Sequence, residues 1–167
     1  GLLNEEHIGF ELAPRLNALG RLGDANPAVE LLTTTDLGKA RLLAAQIEGM
    51  NEARKLLTSQ VFQGALSQLE RNPDLAAGPA VVLAHPEWPA GILGIVASRL
   101  VEYTHKPVFL ISSPPGSLAR GSARSVEGLH LANLLKTQAA LLEDHGGHAM
   151  AAGFALRSEG INDFRRG

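Results

Sequence analysis

From Asp36 to about Asn72 the chain reads as one uninterrupted helix, and nothing else in the sequence constrains the fold as strongly. Leu43, Ile47, Met50, Leu57, Val61, Ala65 and Leu69 recur at helical spacing. Asp36 is placed to cap the start, and Asn72-Pro73 stops the end. A helix of that length runs on the order of 50 Å at ~1.5 Å per residue. That is too long for the core of one small domain, so it predicts a connector between two bodies. Gly49 and Gly64 each weaken it by about 1 kcal/mol relative to alanine.

The flanks differ. Residues 4–34 predict short helices broken by turns, with Pro14 and the Leu19-Gly20-Arg21-Leu22-Gly23-Asp24 stretch as punctuation and Pro27 at a helix start. After a Pro/Gly-containing break at 73–79, short aliphatic runs predict strands at 80–84, 107–111 and 118–125. A further strand is expected within 148–156, with helices at 91–103 and 129–142. The order β-α-β-β-α-β gives an α/β (α+β) fold: a long connector helix followed by a small mixed sheet flanked by helices. Residues 161–167 begin one more element.

Composition agrees with a folded chain. Hydrophobic residues are 45% and charged residues 19% of the 167, enough apolar surface for a core. Aromatics are only 4%, so the core is built from aliphatic helix faces and strands. No apolar run approaches the roughly 20 residues of a membrane helix, and no secretory signal pattern opens the chain; the expected location is cytoplasmic. The net charge of −2 does not advertise nucleic-acid binding by bulk attraction. It is unevenly spread: −4 over residues 1–38, +2 over 39–72 and zero over 73–167. Arginine outnumbers lysine 11 to 4, and its planar fork suits bidentate contacts to phosphate. The absence of cysteine excludes disulfides, thiolate zinc sites and cysteine nucleophiles. The opening on Gly1, in a helical pattern, predicts a piece of a longer protein.

Four clusters depart from ordinary core composition. In Pro14-Arg15-Leu16-Asn17-Ala18-Leu19-Gly20-Arg21-Leu22, two guanidinium groups and an amide around a glycine turn would grip phosphate oxygens, or the arginines bridge neighbouring acids. In Trp88-Pro89-Ala90-Gly91-Ile92-Leu93-Gly94, a strand–turn–helix unit presents a helix N-terminus. Its lone Trp88 either stacks on a base or belongs to the core. In Gly121-Ser122-Ala123-Arg124-Ser125, the two-residue period places Ser122 and Arg124 on one face, which must be exposed or meet an anion. In His145-Gly146-Gly147-His148, paired glycines allow a backbone to approach a ligand closely and His148 to donate to a phosphate. A metal pair at His145 and His148 needs a third or fourth ligand, and without cysteine only a converging Glu143 or Asp144 would supply one, so no metal is expected here. No G-x-S-x-G, P-loop or H-E-x-x-H sequence is present.

In this order the four clusters resemble the C-terminal half of the catalytic core of RecJ-type exonucleases, members of the DHH phosphoesterase superfamily that degrade single-stranded DNA from the 5′ end. The resemblance rests on Leu12-Ala13-Pro14-Arg15-Leu16-Asn17-Ala18 with Gly20-Arg21, on Trp88 with Gly91 to Leu100, on Gly121 to Ser125, and on Gly146 to Gly153. Pro89 stands where such enzymes commonly have a histidine, and His145 where they have an apolar or aromatic residue. The resemblance implies that residues 1–35 are the tail of a DHH domain, 36–77 the interdomain connector and 78–167 a DHH-associated domain that binds substrate. It implies that Mn²⁺ or Mg²⁺ is held by aspartates and histidines of the upstream DHH domain in cis, with no metal or catalytic residue in this chain, which alone is expected to be inactive. Arg15, Asn17 and Arg21 would orient a phosphate, Ser122, Arg124 and Ser125 would hold the single-stranded DNA backbone, and Gly146, Gly147 and His148 would line the cleft. Two alternatives stay open: a DHH-family phosphodiesterase of short oligoribonucleotides or nucleotides, and a non-catalytic binding module.

Overall fold

The computed structural model of the chain describes residues 4–167; the first three residues of the segment expected over 1–35 lie outside the described residues. The chain forms two compact units, Gly1–Leu57 and Thr58–Gly167, and the division falls inside the long helix.

The first unit is helical. A π-helical turn over His7–Leu12 leads into α1 (Ala13–Leu22), followed by α2 (Asn26–Thr33) and the first part of α3 (Leu37–Arg71). The wide turn has a local cause. Pro14 has no N–H to return to the helix, and the Ala13 N–H reaches back five residues to the Ile8 carbonyl. Gly20, expected in a turn, is helical: α1 continues through it and ends at Gly23. Pro27 opens α2 as expected, and Asp36 caps α3, its Oδ1 accepting the Gly38 and Lys39 N–H groups at 2.7 and 3.1 Å. The 35 residues of α3 are continuous. Leu43, Ile47, Val61 and Ala65 of the expected apolar stripe are buried.

In the second unit, α4 (Asp74–Ala77) is a single turn within the expected break. The described residues then form one mixed sheet in the order β1-β2-β3-β5-β4. Its strands are β1 (Val81–His85), β2 (Val108–Ser112), β3 (Ala119–Arg124), β4 (Asp144–Gly147) and β5 (Ala151–Leu156), with α5 (Ala90–Thr104), α6 (Leu131–Thr137) and α7 (Ile161–Arg166) around it. β1 and β2 are parallel, joined across α5, and the other pairings are antiparallel. Lys106 ties the break to the sheet, donating to the Ala76 and Gly78 carbonyls at 2.5 and 2.8 Å.

Two expectations are corrected. The helix predicted over 129–142 is shorter: α6 ends at Thr137 and a 3₁₀ turn covers Ala139–Leu141. The chain then returns as β4, a strand absent from the predicted order. Asp144-His145-Gly146-Gly147 has neither β-branched residues nor alternation, so its extended form comes from pairing with β5 rather than from its own preference.

β3 organises the core. Its even-numbered residues face one side and its odd-numbered residues the other. Ala119 and Ala123 join Phe109, Phe154, Leu131, Leu135, Ile161 and Phe164 in a cluster under α6 and α7. Between them Gly121 yields its space to Phe154: a Cβ there would lie 2.1 Å from the ring. That ring stacks on Phe164 (4.9 Å, 26°) and meets Phe109 edge-on (6.1 Å, 62°). Gly121→Ala is therefore expected to destabilise the chain by about 1–3 kcal/mol through overpacking, measured as a lower urea midpoint at unchanged slope.

Candidate nucleic-acid interface

Pairing register, more than sequence proximity, brings the second unit's polar residues together. Ser122 of β3 pairs with Gly153 of β5, which pairs in turn with Gly146 of β4. Directly opposed residues project to the same side, so this row crosses three strands with one hydroxyl and two hydrogens. The next row pairs Arg124 with Ala151 and the preceding one pairs Arg120 with Ala155 and Asp144. This is the side of the sheet on which α5 packs over β2 and β3. Gly153 and Gly146 are exposed, and a Cβ on Gly146 would meet nothing within 4 Å. The result is a flat, side-chain-poor strip bordered by Arg120 and Arg124.

The β4–β5 turn closes one end of the strip. The Ser125 N–H donates to the Met150 carbonyl at 3.1 Å and the Leu131 N–H to the Ala149 carbonyl at 3.0 Å, which anchors the turn to the end of β3 and the start of α6. Gly147 has φ +146°, and a Cβ would lie 2.4 Å from the Ala151 carbonyl oxygen; only glycine fits there. His148 is exposed, and its Nδ1 accepts the Met150 N–H at 3.4 Å, leaving Nε2 as the donor of a neutral ring. The register thus joins Ser122, Arg124 and Gly146 on one side of the sheet, with Gly147 at the end of β4 and His148 in the adjoining turn.

Two expected members of the set are committed elsewhere. Ser125 is 5% exposed and its hydroxyl donates to the Leu129 carbonyl at 2.9 Å, so it builds the turn. Trp88 is 6% exposed, stacked on His85 at 5.5 Å, with its indole nitrogen 3.7 Å from the position of a Gly64 Cβ. The ring belongs to the core rather than to a base-stacking surface. Arg99, from the same sequence cluster, lies over Phe62 at 4.3 Å.

In the first unit the Pro14-to-Leu22 cluster divides. Residues 15 and 17 project about 200° apart on α1, whereas Asn17 and Arg21, four apart, share a face. Both are exposed, with Arg21 in the last turn. Arg15 faces α3 instead: its Nε pairs with Glu48 Oε2 at 2.5 Å and its Nη1 donates to the Glu11 carbonyl at 2.6 Å. Asn51, 2% exposed, donates to the other Glu48 oxygen at 3.4 Å and accepts from Arg54 at 3.0 Å. The hydrogen bond from Arg15, then that from Asn51, holds Glu48 below the usual carboxylate range, and Glu48 raises Arg15 in return. Sequence reasoning missed this network, since Glu48 stands 33 residues from Arg15.

No three His, Asp or Glu side chains among the described residues converge into a metal-binding set. His145 pairs with Phe154 across β4 and β5, while His148 stands in the turn. No helix among the described residues is long and apolar enough to cross a membrane.

The chain belongs to the DHHA1 domain family, whose description matches residues 77–166. Beyond that domain, almost the whole chain is similar to the single-stranded-DNA-specific exonuclease RecJ. It is 40% identical to the Bacillus subtilis protein over 166 residues, 99% of this chain and 21% of that protein, and 38% identical to the Escherichia coli protein, covering 95% and 29%. A crystal structure of exonuclease RecJ bound to manganese matches with a TM-score of 0.83 at 34% identity, over 96% of this chain and 39% of that one. A structure of Thermus thermophilus RecJ in complex with Mg²⁺ matches at 0.80 and 33%, over 96% and 24%. The chain thus spans less than a third of the length of these curated relatives.

Because Glu48 titrates below its unfolded value, the Arg15–Glu48 pair stabilises the chain above the ordinary carboxylate range. That contribution fades as pH falls through the lowered value. Arg15→Met is expected to return the Glu48 titration, followed by carboxyl NMR, toward that of an exposed glutamate and to reduce the acid-range slope of stability.

Proposed function

We propose that this chain is the substrate-binding part of a metal-dependent 5′→3′ single-stranded-DNA exonuclease. The observation that carries the reading is the bare row Ser122–Gly153–Gly146 beside Arg124. A strand laid along it meets a floor without side chains, a hydroxyl and a guanidinium for phosphate oxygens, and His148 at the turn. Backbone contacts of this kind position a nucleic acid without reading its sequence. They also reconcile binding with a net charge of −2, since a few placed arginines act where bulk charge does not.

The rest of the reading follows from similarity to RecJ. Residues 1–35 are taken as the end of an upstream DHH domain, 36–77 as the connector and 78–167 as the substrate domain. Asn17 and Arg21 add phosphate contacts on their exposed helix face, and Arg15 joins them only by exchanging Glu48 for phosphate. The divalent ion, Mn²⁺ or Mg²⁺, is assigned with its aspartate and histidine ligands to that upstream domain in cis, so this chain alone holds and orients substrate without hydrolysing it. A cytoplasmic location for the enzyme is part of the same proposal.

Full-length enzyme is expected to digest 5′-phosphorylated single strands with Mn²⁺, and to prefer them to dinucleotides; this chain alone is expected to be inert. Inert full-length enzyme, or a preference for dinucleotides, would overturn the reading. In the full-length enzyme, Gly146→Val puts a side chain into open space on the strip. It is expected to leave the melting temperature unchanged or higher, given valine's strand preference, while weakening single-strand binding about tenfold or more in a filter or anisotropy assay. That is the loss of at least one phosphate contact of ~1.5 kcal/mol.

A further inference from the structure

We propose that Gly94, on the helix facing the strip, is a positioning residue for Arg124. Gly94 is buried inside the 15-residue helix α5, where glycine is a poor helix former. Nothing in the α5 backbone demands it, because no positive φ occurs there. What occupies the missing side chain's place is a guanidinium. A Cβ on Gly94 would lie 2.5 Å from Arg124 Nη2, 3.2 Å from Cζ and 3.5 Å from Nη1. Arg124 Nη1 also donates to the Ala123 carbonyl at 2.8 Å. The guanidinium is therefore held between its own strand and the bare wall of α5, at the boundary where helix cover gives way to the open strip.

The consequence is pre-organisation. An arginine at the end of a strand has many rotamers, and binding must freeze one of them. Here the wall of α5 and the Ala123 carbonyl limit that freedom before any strand arrives, on the side of β3 that carries Ser122. The obstructing atom met by an added methyl is the tip of a flexible side chain, so a substitution at Gly94 is relieved by moving Arg124 rather than by moving the helix. This role rests on Arg124 as a phosphate contact.

The test uses full-length enzyme and a 5′-phosphorylated single-stranded oligonucleotide, with binding measured by anisotropy in EDTA across a salt series. Arg124→Ala is expected to weaken binding about tenfold and to lower the salt slope by about one ion. Gly94→Ala is expected to weaken it by a similar factor, with the same loss of slope, and the double variant is expected to be no weaker than Arg124→Ala alone. Wild-type binding by Gly94→Ala alongside a weakened Arg124→Ala overturns the role of Gly94 and leaves the proposed function standing; so do losses that multiply in the double variant. Wild-type binding by Arg124→Ala overturns the phosphate contact, and the role of Gly94 with it. If Gly94→Ala lowers the melting temperature, adding Arg124→Ala must restore it, since the clash is with the guanidinium; a double variant that stays destabilised overturns the proposal.

Discussion

The two-residue period of β3 is the constraint from which the second unit is built. Ala119-Arg120-Gly121-Ser122-Ala123-Arg124 contains no large apolar residue, yet the strand lies in the middle of the sheet, between β2 and β5. Its odd-numbered side therefore cannot fill a core by itself. It leaves space that Phe109, Phe154 and Phe164 fill from neighbouring elements. Its even-numbered side carries groups that cannot enter an apolar core without partners. Helix α5 covers β2 and β3 on that side, and the exposed glycines of β4 and β5 open the surface beyond it. Core and candidate interface are two sides of one strand.

The two units use charge differently. In the first, Arg15, Glu48, Asn51 and Arg54 form a hydrogen-bonded chain along α3, so a guanidinium that looked available for a ligand is an internal tie. In the second, the Arg124 guanidinium rests on a backbone carbonyl and a glycine wall, an arrangement that holds the group in place beside the strip. Surface pairs like the first are individually weak. The value of the second lies in orientation, which a flexible side chain attains only when something else limits its rotamers.

Much of the architecture was legible in the residues. The continuous α3, its Asp36 cap, the aliphatic strands β1 and β2 and the helix α5 each announce themselves by periodicity and punctuation over several residues. β4 did not, because two glycines, an aspartate and a histidine have no strand preference until β5 supplies the hydrogen bonds. Trp88 was ambiguous for a different reason: a single aromatic carries no periodicity, and its burial depends on His85 and on Gly64 in a different element. Arg15 and Asn17 looked like one cluster because they are two residues apart in the chain, yet a helix turns them to different sides.

What the sequence determined by itself was local: where the chain is helical, where it is extended, which residues are too polar or too small for an ordinary core, and the family those residues resemble. What only the tertiary structure decided was adjacency. The row Ser122–Gly153–Gly146 and the seat of Arg124 on Gly94 join residues separated by between 7 and 31 positions. The forces that bring them together are strand register and helix packing, which act between elements and leave no period in any one of them.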